Sequence, residues 1–279
     1  MAYDSYKVIN VEVKGKVAYG TINNPPINVI TAPLLDDLVR LSTELEADQN
    51  LLVFVLRSAH PDFFIAHFDV AAILEFPIDK PPRREDYANA FYHEMCERFR
   101  TMNKVTIAQI EGRVGGGGSE LAMSFDMRFG VRGKTIVNQM EVPLGILPGG
   151  TGTQRMPRLI GRNRAAEVIL GGIDMDCDAA ERWGYLNRAF EPGQIGPYVE
   201  WLANRIASFP PEAVRLTKEA INCAEKPLAE GLRDESYLFQ QLTRTESGRR
   251  NMRRFLEIGG QTREGELKIQ ELSGRLGKA

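Results

Sequence analysis

The chain has 279 residues, 43% of them hydrophobic and 26% charged, with a formal net charge of −2. That length allows one large domain or two smaller ones with an ample core, and the composition is ordinary for a globular protein. The near-neutral charge excludes an electrostatic case for nucleic-acid binding.

In chain order, "YKVINVEVKGKVAYGTIN" alternates β-branched and polar residues around Gly15 and predicts two short strands and a turn. "PPIN" breaks the pattern. "TAPLLDDLVRLSTELEAD" then predicts a helix, with Thr31 as its cap and leucines at helical spacing. "LLVFVLRS" (51–58) is continuously apolar, as a strand buried on both faces should be. The proline-rich stretch "FPIDKPPRRED" (76–86) predicts an exposed, mobile loop, and "NAFYHEMCERFRTMN" a helix. "VTIAQIEG" (105–112) and "DMRFGVR" (126–132) predict two further strands. Strand alternating with helix argues for an α/β core of repeated β-α units. After Thr151 nearly every segment reads as a helix, including "TQRMPRLIG", "CDAAERWG", "PYVEWLANRIASF", "EAVRLTKEAINCA" and "GLRDESYLFQQLTR". The expected division is an α/β core over residues 1–200 and a helical region over 201–279 that forms a second layer or lies across a neighbouring subunit. The basic patch "GRRNMRR" (248–254) reads as a solvated helix face.

Cys96, Cys177 and Cys223 are an odd, widely spaced set without metal-ligand or disulfide spacing, which favours a reducing compartment. His60, His67 and His93 do not pair at i,i+4, so no histidine-pair metal motif is present and no metal is expected. "MAYDSYKVIN" lacks a signal pattern and no apolar run nears membrane-spanning length, so the expectation is a cytoplasmic protein without a membrane partner.

"RVGGGGSELAMSFD" (113–126) holds a run that would serve as a flexible tether, yet its flanks are apolar. Glycines between a buried strand and a helix start allow another group to approach the backbone. The first N–H groups of a helix lack intrahelical partners and lie at the positive end of its dipole, so this junction is a candidate oxyanion site. A phosphate loop would need Lys-Ser/Thr after the glycines, where Ser119-Glu120 stand instead, and Glu120 also spoils a G-x-G-x-x-G match. A carboxylate there repels phosphate but not a neutral carbonyl that becomes an enolate during reaction. Glu120 is then a candidate acid or base. A plain capping role for it stays open at this point. In "NQMEVPLGILPGGTGTQRM" (138–156), Glu141 lies among apolar residues, where an acid must be paired, neutralised or functional. Two carboxylates facing one pocket can divide the work of acid and base.

With these segments in hand, the chain resembles the crotonase superfamily, the enoyl-CoA hydratase/isomerase family, over residues 8–255. The most specific segments are "GGGGSELAMSFD" and "MEVPLGILPGGTGTQRMPRLIG", supported by "FFIAHFDV" (63–70) and "NRAAEVILGGIDMDCDAAERWGYLNRAF". The resemblance implies a crotonase-like α/β spiral of repeated β-β-α units followed by a helical region that builds homotrimers or homohexamers. It implies an acyl-CoA thioester as substrate, with coenzyme A part of the substrate and no separate cofactor. It places the oxyanion-hole N–H groups at Ala66 and Gly117 and the two catalytic glutamates of a hydratase at Glu120 and Glu141. Pro26, Ile27, His67, Phe68, Asp69 and Gly116 fall at substrate-binding positions. The chain departs from the family pattern in Ala66-His67-Phe68-Asp69, where Ala-Gly-x-Asp is usual, and in Pro25-Pro26-Ile27-Asn28, which lacks the basic residue many relatives place there. The implied activity is addition of water across the 2,3 double bond of a 2-enoyl-CoA. Double-bond isomerisation, thioester hydrolysis, C–C cleavage and non-catalytic acyl-CoA binding stay open alternatives at this level.

Overall fold

The structure is a computed structural model that describes residues 3–87 and 90–277. It opens with an antiparallel hairpin, β1 (Ile9–Lys14) and β2 (Val17–Ile22), turning at Gly15 with φ +60°. Helix α1 (Ala32–Ala47) follows. Thr31 stands at its N-cap position, but its hydroxyl accepts from Asn24 Nδ2 at 3.0 Å instead of capping the helix.

Three successive turns of a β-β-α unit come next. The first is β3 (Val53–Ser58), β4 (Phe63–Ile65) and the helices α2 (Val70–Leu74) and α3 (Phe91–Thr101). The second is β5 (Val105–Ile110), β6 (Arg113–Gly115) and α4 (Gly116–Met123). The third is β7 (Met127–Val131), β8 (Ile136–Asn138), α5 (Gly152–Ile160) and α6 (Arg162–Gly171). In each turn the first strand joins one sheet and the second strand joins another. The resulting orders are β1-β2-β3-β5-β7-β10 and β4-β6-β8-β9, with β9 (Met175–Asp176) and β10 (Arg188–Phe190) flanking α7 (Cys177–Trp183). The neighbours β3, β5, β7 and β10 run parallel, as do β4, β6 and β8. This is the expected spiral of β-β-α units.

The continuous apolar run of β3 is explained by burial on both faces. Phe54 and Leu56 enter the core beneath α1, α3 and α4, where Phe99 stacks between Phe54 and Phe125 with ring centroids 5.9 and 5.0 Å away. Val53 and Val55 face the other way, with Val105, Ile107 and Phe129, onto Val199 and Ala203 of α8 (Ile195–Ala207).

Helix α9 (Pro211–Asn222) is anchored to the sheet by charge. Buried Lys218 reaches Asp126 Oδ2 at 2.8 Å and donates to Lys104 O at 2.6 Å. Helices α10 (Leu228–Leu242), α11 (Glu246–Glu257), α12 (Arg263–Leu267) and α13 (Ile269–Gly274) complete the chain. On α10, Leu228, Leu232 and Phe239 share one face by spacing and are exposed. Met252 and Leu256 do the same on α11. The 76–86 segment is exposed, with a short 3-10 turn at Arg84–Tyr87.

Candidate active site

The glycine run does not simply follow β5. A separate three-residue strand, β6, intervenes, and α4 begins inside the glycines at Gly116. Each glycine meets a different neighbour. A Cβ on Gly115 would lie 2.6 Å from Ala66 O, and one on Gly118 would lie 2.6 Å from Cβ and O of Ile65. α4 therefore rests against β4 with no room for side chains. Gly116 has φ +45°, a region that glycine enters without steric cost. A Cβ there would stand 2.9 Å from Glu141 Oε1 and 3.2 Å from His67 Cβ. Gly116 thus marks the meeting point of three sequence segments.

This packing sets Ala66 against the glycine run that leads into Gly117. Ala66 follows β4 directly, and its carbonyl faces Gly115. Gly117 is the second residue of α4, so its N–H lies in the first turn, where the helix supplies no acceptor. Its own carbonyl accepts from the Tyr92 hydroxyl at 2.6 Å. A cavity of about 140 Å³ opens beside Ala66 and Gly115, lined also by Ile27, His67, Asn138 and Met140. That volume suits the reacting end of a ligand rather than an entire coenzyme.

Glu120 projects from α4 and is 3% exposed. Its Oε1 accepts from the backbone N–H groups of Gly150 at 2.8 Å and Gly152 at 2.7 Å. The intervening Thr151 has φ +128°, a strained value for a residue with a β-carbon. Its hydroxyl also donates to Glu120 O at 3.3 Å. Burial raises the Glu120 carboxyl to about 6, while the N–H groups of Gly152, Gly150 and Thr151 pull it down.

Glu141 is 8% exposed, at the start of the 3-10 turn Val142–Leu144. Burial, and after it the charge of Glu120, raises its carboxyl to about 7. The Gln139 amide, oriented to satisfy its neighbours, donates to Glu141 Oε2 at 3.0 Å and Oε1 at 3.2 Å. Two neighbouring carboxyls with unequal environments are therefore present: Glu120 held by backbone donors, Glu141 facing a like charge.

The remaining predicted residues sit around this centre. Ile27 and His67 line the cavity, and His67 Nδ1 donates to Phe68 O at 2.8 Å. Phe68 packs edge-on against Tyr92 with centroids 5.9 Å apart and lies against Gly117. Asp69 caps α2, its Oδ1 accepting from Ala71 N at 3.0 Å, so it fixes the loop that carries Ala66. Pro26 is exposed and follows a cis Pro25–Pro26 peptide bond. Sequence reasoning missed the two residues of α3 that grip both glycine loops. Tyr92 holds Gly117 O, and His93 Nε2 donates to Gly149 O at 2.7 Å. It also missed Gln139. No motif marks these positions, because their roles exist only across elements distant in sequence. Among the described residues, no group of three or more His, Cys, Asp or Glu side chains could hold a metal ion.

A spiral of β-β-α turns that carries two neighbouring buried glutamates, with a cavity beside Ala66 and Gly115, defines a crotonase-type architecture. The chain belongs to the enoyl-CoA hydratase/isomerase family, whose model matches residues 12–264. It is 32% identical over 249 residues to the short-chain-enoyl-CoA hydratase of Clostridium acetobutylicum, covering 88% of this chain and 94% of that protein. It is 32% identical over 219 residues to the crotonyl-CoA hydratase of Syntrophomonas wolfei, covering 78% and 82%. Among solved structures, the enoyl-CoA hydratase of Bacillus anthracis superposes with a TM-score of 0.82 at 28% identity, covering 90% of this chain and 96% of that one. DspI of Pseudomonas aeruginosa gives 0.82 at 29%, covering 92% and 96%.

Proposed function

We propose that this chain is an enoyl-CoA hydratase that adds water across the 2,3 double bond of a 2-enoyl-CoA thioester. The observation that carries the reading is the pair of neighbouring buried carboxyls, Glu120 raised to about 6 and Glu141 to about 7, with Glu141 lying against Gly116 at the head of α4. The thioester carbonyl accepts from those two N–H groups. As hydroxide character develops at C3, charge moves onto the carbonyl oxygen, and preplaced donors stabilise that enolate without reorganising. One such donor contributes about 3–4 kcal/mol to a transition state.

Unequal environments divide the two acids. Glu120, whose charged form is held by backbone donors, takes a proton from water as its oxygen bonds to C3. Glu141, whose charged form faces a like charge, keeps its proton and delivers it to C2. After one turnover Glu120 has gained a proton and Glu141 has lost one, and exchange through solvent resets the pair. Double-bond isomerisation only moves a proton between carbons and needs one such group, so two carboxyls favour hydration. Coenzyme A enters as part of the substrate, and this chemistry balances without a metal or redox cofactor. Ile27 and His67 wall the acyl end, with Gly116 between His67 and Glu141, Phe68 behind Gly117, Asp69 fixing the loop and Pro26 at the rim. The hydratases of C. acetobutylicum and S. wolfei, named for short-chain and crotonyl thioesters, support a short acyl group.

The test is conversion of a panel of 2-enoyl-, 3-enoyl- and saturated acyl-CoA thioesters followed by mass spectrometry. The reading expects a product one water heavier from crotonyl-CoA. An isomer of unchanged mass, a free acid, or tight binding without turnover would replace it with another chemistry of the family or with a non-catalytic binder.

Residues 201–279 supply the proposed assembly surface, a homotrimer or homohexamer. The exposed stripe Leu228, Leu232 and Phe239, with Met252 and Leu256, supports this, since such stripes are covered in soluble proteins. No described helix is long and apolar enough to cross a membrane. Three free, buried cysteines support residence in a reducing compartment, the cytoplasm.

A further inference from the structure

Behind Glu141 the structure holds a line of polar side chains that the proposed chemistry does not use. Gln139 donates to both Glu141 oxygens, and its own oxygen accepts from Ser119 Oγ at 3.2 Å. Ser119 Oγ in turn lies 2.9 Å from the Tyr185 hydroxyl. Ser119, Gln139 and Tyr185 are completely buried. Ser119 comes from α4, Gln139 from the segment after β8 and Tyr185 from the turn after α7, so the line crosses three elements. Tyr185 is fixed at its far end, where Arg128 Nε donates to its carbonyl at 2.7 Å and the guanidinium lies 5.8 Å from the ring centroid.

We infer that Ser119 and Tyr185 are positioning residues that act through Gln139 to hold Glu141 ready to ionise. With Tyr185 donating to Ser119, Ser119 donates to the Gln139 oxygen, and the Gln139 nitrogen faces the carboxylate. Every dipole then points its positive end at the charge that Glu141 acquires on giving up its proton. In the reverse order the Gln139 oxygen faces Glu141, which must then stay protonated. Ser119 in that case donates to Tyr185, whose hydroxyl turns to Ser119 O at 3.4 Å. The two orders differ by hydroxyl rotations and an amide flip, with no bond broken. Only the first supports a carboxylate, because aligned dipoles interact with a full charge far more strongly than with a neutral acid.

Burial raises the Tyr185 hydroxyl to about 12, so it keeps its proton and remains a donor. The other groups facing Glu141 are Glu120 on α4, Tyr92 on α3 and His67 after β4. Tyr92 is engaged with Gly117 O and His67 with Phe68 O. Among these side chains, Gln139 alone brings a donor to the carboxylate, beside Glu141's own backbone N–H.

The inference rests on Glu141 being the proton donor, and its test separates the two claims. The carbon-13 titration of the glutamate carboxyls is followed in the ligand-free protein, with Glu141 assigned by its loss in Glu141→Gln. Tyr185→Phe and Ser119→Ala are each expected to raise the Glu141 titration by roughly half to one pH unit, the size of one modest hydrogen bond. Glu120 should move less. In turnover both variants should lower kcat while leaving KM for crotonyl-CoA unchanged, since neither side chain lines the cavity. An unchanged or lowered Glu141 titration in whichever variant folds overturns the relay, even if hydration is intact. A raised titration in a protein that hydrates nothing upholds the relay and removes the hydratase reading instead.

Discussion

Glu120 and Glu141 carry the same functional group in different fields, and that difference makes their exchange for glutamine informative. Glutamine keeps the volume and one acceptor but cannot shuttle a proton. Glu120→Gln and Glu141→Gln are each expected to lower kcat for crotonyl-CoA hydration by roughly a hundredfold or more, as loss of a general acid or base does. Steady-state kinetics on the two variants checks this. The pH dependence follows from the same assignment. Activity needs Glu120 ionised, so kcat/KM should climb as pH rises through about 6. It also needs Glu141 protonated, so kcat/KM should fall as pH rises through about 7. A narrow bell is the expected profile. Each single glutamine variant should lose the limb of the acid it lacks, which residual-activity profiles can check.

At the scale of elements, the fit of α4 on β4 positions the whole site. Gly118 carries that fit, because a Cβ there would collide with Cβ, Cγ2 and O of Ile65 at 2.6 Å, two of them on stiff or main-chain atoms. Gly118→Ala is expected to destabilise the fold by about 1–3 kcal/mol and to displace the neighbouring Gly117 amide. Thermal unfolding with activity on the surviving fold measures both effects. These contacts also show what the sequence could reveal. Two glutamates and a glycine-rich turn stand out because an acid among apolar residues and four consecutive glycines violate ordinary patterning. β6, β9 and β10 did not stand out, because two or three residues cannot display a period. Thr31 had the right type and place for a cap, but Asn24 took its hydroxyl. The grip of Tyr92 and His93 on the glycine loops, and the line from Tyr185 to Gln139, depend on distances across the spiral that no local pattern encodes.

At the scale of the molecule, holding two carboxyls in a buried site affects stability. The Glu141 carboxyl titrates near 4.5 when unconstrained and near 7 in the fold. The folded state binds that proton more tightly than the unfolded chain. Its contribution to stability is therefore fully present below about 4.5 and is lost as pH rises through about 7. Glu141→Gln removes this dependence, and the variant should exceed the parent by about 1–3 kcal/mol at pH 8, with no such advantage near pH 4.5. Denaturant titrations at the two values test it. The proposed assembly belongs to the same scale. Native mass spectrometry should give three copies or a multiple of three, and Leu232→Arg should release smaller species.

The central claim is spatial: two main-chain amides and two carboxyls act on one thioester. A crystal structure of the protein with an unreactive acyl-CoA bound measures it most directly. The account predicts the thioester oxygen within hydrogen-bonding distance of both the Ala66 and Gly117 nitrogens, and a water held between Glu120 and Glu141 over the second and third acyl carbons. A thioester bound away from those amides, or glutamates directed away from the acyl chain, would contradict it.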